Sequence, residues 1–174
     1  MGQAENADLR SLIRDLAMRR ESHDRRQLYW ALIQAKILTP VRPDSLASDI
    51  SPGDLHPLDR EALGGMASFA VFTHQDAAEQ WQKEEAVGIP LRLERARFVE
   101  VLPILLGAGA GSVYLNPASK YSGELYRHEL ETCLDGAQKL AKRVVQGSTK
   151  TEPEASIEEA KPPSLWVRLL DWVR

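Results

Sequence analysis

Ala67-Ser68-Phe69-Ala70-Val71-Phe72-Thr73-His74-Gln75-Asp76-Ala77-Ala78-Glu79-Gln80-Trp81 is the stretch from which the architecture is read. Residues 67–72 are a compact apolar run containing Phe and Val, the make-up of a buried strand. The run stops at Thr73, whose hydroxyl can cap a helix, with Asp76 three residues on as its acidic partner. The helix that follows carries Ala77, Ala78 and Trp81 and ends before Gly88. A strand leading through a cap into a helix is the signature of α/β architecture.

Toward the C-terminus, residues 95–106 read as a largely buried helix with a kink at Pro103. Gly107-Ala108-Gly109-Ala110-Gly111 then forms a turn, residues 112–115 a strand, and Asn116-Pro117 a second turn that closes it. Residues 124–134 read as a further helix. Toward the N-terminus, Leu9, Leu12, Ile13, Leu16 and Ala17 recur at helical spacing, with Arg10, Arg14, Arg19 and Arg20 mostly off that stripe. A second helix is expected to start at Asp24, with Gln27 as the capping-box partner and Leu28, Ala31, Leu32 and Ala35 buried. Residues 37–41 turn extended, and Pro40 suits an edge strand or a strand start. Residues 42–57 read as a loop, with order resuming near Met66. The expectation is an α/β (α+β) fold, a small mixed β-sheet covered by helices, without hairpin signals or internal repeats.

The chain has 174 residues, and its composition becomes low-complexity after Gly147. Residues 1–146 are thus expected to be one domain, 147–163 a disordered linker and 164–174 a short amphipathic helix. A domain of that size buries enough surface to fold without a disulfide or a metal. Cys133 is the single cysteine and has no partner within the chain. With 22 Lys and Arg against 25 Asp and Glu, the net charge is −3, which argues against a general nucleic-acid-binding surface. The first residues lack the apolar core of a signal peptide, and Asn6 stands where N-myristoylation needs Ser or Thr. The 19-residue uncharged run 101–119 is broken by Pro103, Gly107, Gly109, Gly111 and Pro117, so no membrane span is expected. The expected location is the cytoplasm.

Candidate chemistry is sparse. The run from Gly107 to Gly111 has the order helix, glycines, strand, the reverse of a nucleotide-binding loop, and no Lys-Ser/Thr follows it. His128 and Cys133, five residues apart on one helix, point to different faces. Cys133 therefore reads as a small buried residue. Glu129 and Cys133 are i, i+4 neighbours but match no catalytic pattern. His23, His56 and His74 share no metal-ligand spacing. Arg19, Arg20, Arg25 and Arg26, interleaved with Glu21 and Asp24, read as locally paired surface charge, with an acidic partner as the alternative. No catalytic residue, metal site or cofactor is expected, and no enzyme.

Leu28-Tyr29-Trp30-Ala31-Leu32, Leu38-Thr39-Pro40-Val41, Phe69-Ala70-Val71-Phe72-Thr73 with a Trp81-bearing helix, and Val113-Tyr114-Leu115-Asn116-Pro117 followed by a Glu-rich helix together resemble the amino-terminal domain of the SseB (enhanced serine sensitivity) protein family. The likeness covers about residues 9–135. It implies a bacterial α/β domain with no established catalytic residues, and a carboxy-terminal domain found in longer members is not expected in the low-complexity stretch after Gly147.

Strand ends in open α/β sheets are where ligands tend to sit, so Thr73 and Asn116 are the candidate ligand site. In the terminal segment, Ser164 can cap a helix on which Trp166, Leu169, Leu170 and Val173 fall at i, i+3, i+4 and i+7. Burying four such side chains gains roughly 8 kcal/mol. Ordering a segment of that length costs about 1 to 2 kcal/mol per residue, so the helix needs a surface to dock on. Another protein is the favoured partner through these four residues, ahead of its own domain and of a membrane surface, where more cations are usual. The leading expectation is a non-enzymatic interaction or adaptor module. The alternative is a small-ligand-binding or hydrolytic domain using the strand ends near Thr73 and Asn116.

Overall fold

The computed structural model describes residues 7–18, 25–44, 50–61 and 64–148. The expected cap at Asp24, the linker beyond Ser148 and the segment 164–174 lie outside that range. The chain divides into two units, Met1–Ala141 and Lys142–Arg174, and the sheets and the core belong to the first.

The first two helices form where the apolar spacing places them, α1 at Ala7–Ala17 and α2 at Arg25–Gln34. Leu9 and Ile13 of α1 and Leu28 and Leu32 of α2 are buried, and Ala35 follows α2 into the core; Ala31 is only partly covered. β1 (Lys36–Val41) comes next, with Pro40 inside it, then a 3-10 turn at Pro52–Asp54. β2 (Pro57–Glu61) starts at the last residue of the expected loop, so order begins earlier than Met66. β3 (Ala67–Val71) and α3 (Gln75–Glu84) follow.

Two further strands replace helix at its expected start. Residues 92–97 form β4 (Arg92–Arg97), and helix α4 runs only from Phe98 to Gly107. β5 (Ala110–Leu115) is entered through Ala108 and Gly109, where Gly109 at φ 79° supplies the left-handed residue that ends the helix. Residues 123–126 form β6 (Gly123–Tyr126), and α5 starts at Arg127 and reaches Ser148.

The strands make two small sheets. One is the antiparallel pair β1-β4, and the other has the order β2-β3-β5-β6. β3 and β5 are parallel, while β2-β3 and β5-β6 are antiparallel. β5 returns directly along β6, a hairpin connection that the sequence does not announce. Leu38 and Phe72 tie the two sheets by reciprocal backbone bonds of 2.7 and 2.8 Å.

Alternation along the strands divides the interior in two. Ile37, Val41, Phe69, Val71, Val113 and Leu115 face a core built with α1, α2, α4 and α5. Leu38, Ala70 and Phe72 face a smaller core with Ala77, Ala78 and Trp81 of α3. The result is a mixed α/β fold whose central parallel strands are covered on both faces, as strands read from continuous apolar runs require.

Candidate functional site

β3 and β5 end side by side, and the residues just beyond them are Thr73 and Asn116. Val71 is opposite Leu115, and Asn116 N–H donates to the Val71 carbonyl at 2.9 Å. Asn116 has φ 50°, a left-handed conformation that Asn tolerates better than most residues, and this turns its side chain across to Thr73. Its Oδ1 accepts the Thr73 backbone N–H at 2.8 Å, and its Nδ2 donates to Thr73 Oγ1 at 3.0 Å. Both residues are buried. The Asn116 carbonyl accepts from Ser119 Oγ at 2.7 Å, which folds the following loop back.

Neither residue acts as the sequence suggests. Thr73 does not cap α3: His74 is the N-cap residue and makes no side-chain capping bond. Thr73 is held instead by Asn116, an interaction between positions 43 apart that no local motif contains. The Asn116 side chain reaches across to the neighbouring strand end, which its place in a turn does not announce.

Thr73 Oγ1 also lies 3.0 Å from His74 Nδ1. Burial, and then the nearby Arg10 charge, hold the His74 pKa below its ordinary value, while Asp76 works the other way. A neutral imidazole accepting the Thr73 hydroxyl proton at Nδ1, with its own proton on Nε2, satisfies both groups. A hydroxyl beside an imidazole invites a nucleophile-and-base reading. Here the hydroxyl is 43 residues from, yet bonded to, the amide that also takes the Thr73 N–H. The arrangement locks two strand ends together.

A second polar constellation lies around Glu129. The residue is 2% exposed, and its carboxylate accepts from Tyr29 Oη at 2.6 Å, from the Tyr126 backbone N–H at 2.9 Å and from Arg25 Nη1. The bond to Tyr126 is the carboxylate half of a capping box at the start of α5. The other two come from α2, so one carboxylate fixes the helix start, the end of β6 and α2. Burial first, and then the bonded Glu129 carboxylate, push the Tyr29 pKa up to about 12. Burial alone lowers the Arg25 pKa, but the Glu129 charge and the bonds to Tyr29 and Glu129 outweigh it and leave it raised. Of the four arginines read as surface charge, Arg25 is thus paired with a buried acid, and Arg19 and Arg20 lie outside the described residues.

Cys133 sits one turn from Glu129 and is fully buried. Burial, and then the Glu129 charge, push its thiol up to about 12. At neutral pH it is a thiol and a poor nucleophile. His128 is exposed and stacks on Tyr126, with ring centroids 6.2 Å apart. No group of three His, Cys, Asp or Glu suited to a metal occurs among the described residues, and no helix among them is long and apolar enough to cross a membrane.

Sequence reasoning found Thr73 and Asn116 but not their bond, and it noted Glu129 only for its spacing to Cys133. The Tyr126–Glu129 bond spans three residues, but it could be expected only if α5 is started at residue 127. Trp166, Leu169, Leu170 and Val173 lie outside the described residues.

No curated protein matches the chain. The model of one protein family, the SseB protein N-terminal domain, matches residues 9–132. That span runs from the first buried leucine of α1 to the last residue before Cys133, and takes in both strand ends and Glu129. The chain belongs to the SseB family through this N-terminal domain.

Proposed function

We propose that the protein is a non-enzymatic interaction module, with the segment 164–174 as its recognition element. The observation that carries this reading is the mutual engagement of Thr73 and Asn116. At the ends of the parallel strands, where open α/β sheets ordinarily receive a ligand, the polar atoms bond to each other and are buried. The Glu129 carboxylate is likewise engaged by donors from α2 and the end of β6. These groups serve the fold.

The sequence supplies the complementary half. Trp166, Leu169, Leu170 and Val173 recur at helical spacing after a polar stretch, and an apolar stripe of that spacing would gain its stability from a groove on another protein. Tryptophan anchors commonly dominate such contacts. The test pairs full-length protein with a chain ending at Ser148 and with the full-length Trp166→Ala/Leu170→Ala variant, all as baits. A partner captured by the first and lost by both others, with unchanged melting of the variants, is the expected result. Equal capture by all three would remove the segment from the function. Thr73→Val and Asn116→Asp variants, if stable yet unable to bind a small ligand that the native protein binds, would favour the strand-end reading instead.

A further inference from the structure

The two-stranded sheet carries three exposed cations on one face. β4 pairs with β1 alone, and its other edge carries no strand among the described residues. Burial distinguishes the two faces of this ribbon: Ile37, Val41 and Ala96 pack in the larger core, while Leu38 and Leu93 pack with α3. By alternation, Lys36, Arg95 and Arg97 share the face of Leu38 and Leu93. All three are exposed, Lys36 lies directly opposite Arg97, and Arg95 is opposite Leu38.

Like charges directly opposite on paired strands are destabilising. Among the described residues the guanidinium groups of Arg95 and Arg97 have no ion-pair partner. A charged edge ordinarily guards against strand pairing, and this one repels a second copy of itself. It does not repel an acidic strand.

We propose that the outer edge of β4 binds an extended acidic peptide by strand addition, with carboxylates at alternate positions of the peptide opposite Arg95 and Arg97. Backbone bonds at Leu93 and Arg95 set direction and register, because the Arg97 N–H already donates to Glu100 Oε2 at 3.2 Å where α4 begins, and the two arginine side chains select the charge. An i, i+2 spacing of acids matches because residues two apart on a strand share a face. Val87 and Ile89, 73% and 43% exposed in the turn that leads into β4, offer apolar contact to a residue flanking the acids. The site does not involve residues 164–174, so it stands or falls apart from the tail reading.

The experiment uses the full chain and a fluorescein-labelled peptide of sequence TVEVEVT, followed by anisotropy. The native protein is expected to bind it saturably, with affinity falling as salt rises. Arg95→Glu/Arg97→Glu should weaken binding about tenfold or more and should instead bind TVKVKVT. If that double variant melts early, Arg95→Gln and Arg97→Gln singly provide the same comparison, each with a smaller loss. Two peptides N-methylated on alternate backbone amides, one for each register, separate strand addition from simple charge attraction: at least one should fail to bind. Equal binding by both, no binding of TVEVEVT to the native chain, or stronger binding of an oligothymidylate than of TVEVEVT would each overturn the proposal.

Discussion

The backbone N–H of Thr73 and the side-chain Oδ1 of Asn116 meet at 2.8 Å across the ends of the parallel strands β3 and β5. Removing the acceptor leaves a buried N–H without its partner, a loss of about 1–3 kcal/mol. Asn116→Ala adds the cost of holding alanine at φ 50°, about 1 kcal/mol more. Thr73→Ala keeps the backbone bond and loses the hydroxyl alone, about 1 kcal/mol. Urea unfolding should therefore order the variants native, Thr73→Ala, Asn116→Ala in falling stability. A fully stable Asn116→Ala would show that the bond does not hold the strand ends.

Glu129 should matter more to the fold than its cationic partner. Glu129→Ala removes the acceptor of Tyr29, Tyr126 and Arg25 together and is expected to cost about 2–4 kcal/mol. The Arg25 side chain is 53% exposed, so solvent screens its pairing and Arg25→Ala should cost only about 1 kcal/mol. Equal losses from the two substitutions, measured by denaturant unfolding, would contradict this ordering.

The thiol of Cys133 should resist alkylation in the native state. With its pKa pushed up to about 12 and its side chain buried, it is neither ionised nor reachable at neutral pH. Maleimide labelling should be slow until denaturant is added, and Cys133→Ala should leave partner capture unchanged. Rapid labelling of native protein with loss of capture is the opposite outcome.

His56 and His74 predict a stability profile with a definite sign. Burial lowers both pKa values below 6.5, helped by Arg42 at His56 and by Arg10 at His74. Well above pH 6.5 both are neutral folded or unfolded. As the pH falls below 6.5 the unfolded chain takes up protons first, so stability declines until the folded histidines titrate as well. Melting midpoints should drop in that window, and His56→Gln/His74→Gln should flatten the drop. An unchanged slope in the double variant would remove the histidines as its cause.

The elements legible from sequence were those in which apolar residues run unbroken or recur at one period. The stripe of Leu9 and Ile13 and the Ala77, Ala78, Trp81 face each meet one core, and the run from Phe69 to Phe72 stays apolar because it supplies both. β4 also supplies both cores, through Leu93 and Ala96, but was missed because Arg92, Glu94, Arg95 and Arg97 leave no apolar run. β2 places Leu58 in a core amid charged residues, and β6 is four residues running straight into α5. At the candidate site, Thr73 and Asn116 were both marked by their turn chemistry. Their bond, and that of Tyr29 to Glu129, join positions 43 and 100 apart, which only the folded chain brings together.

Gly123 marks where α1 crosses the sheet. A Cβ there would lie 2.7 Å from Leu16 Cδ2, so Gly123→Ala forces that leucine into another rotamer, at about 1 kcal/mol. The Leu16→Ala/Gly123→Ala double variant should lose less than the sum of the single losses, because the clash is gone. Strict additivity in thermal unfolding would mean that helix and strand do not touch there.

The domain is proposed to be complete without residues 149–174, which serve a partner. Thermal unfolding of the full-length chain beside one ending at Ser148 decides this. The same melting midpoint is expected for both, with partner capture lost only from the shorter chain. A midpoint lowered by several degrees, the shift expected when about 1 kcal/mol of packing is removed from a domain of this size, would contradict it and make the segment part of the fold.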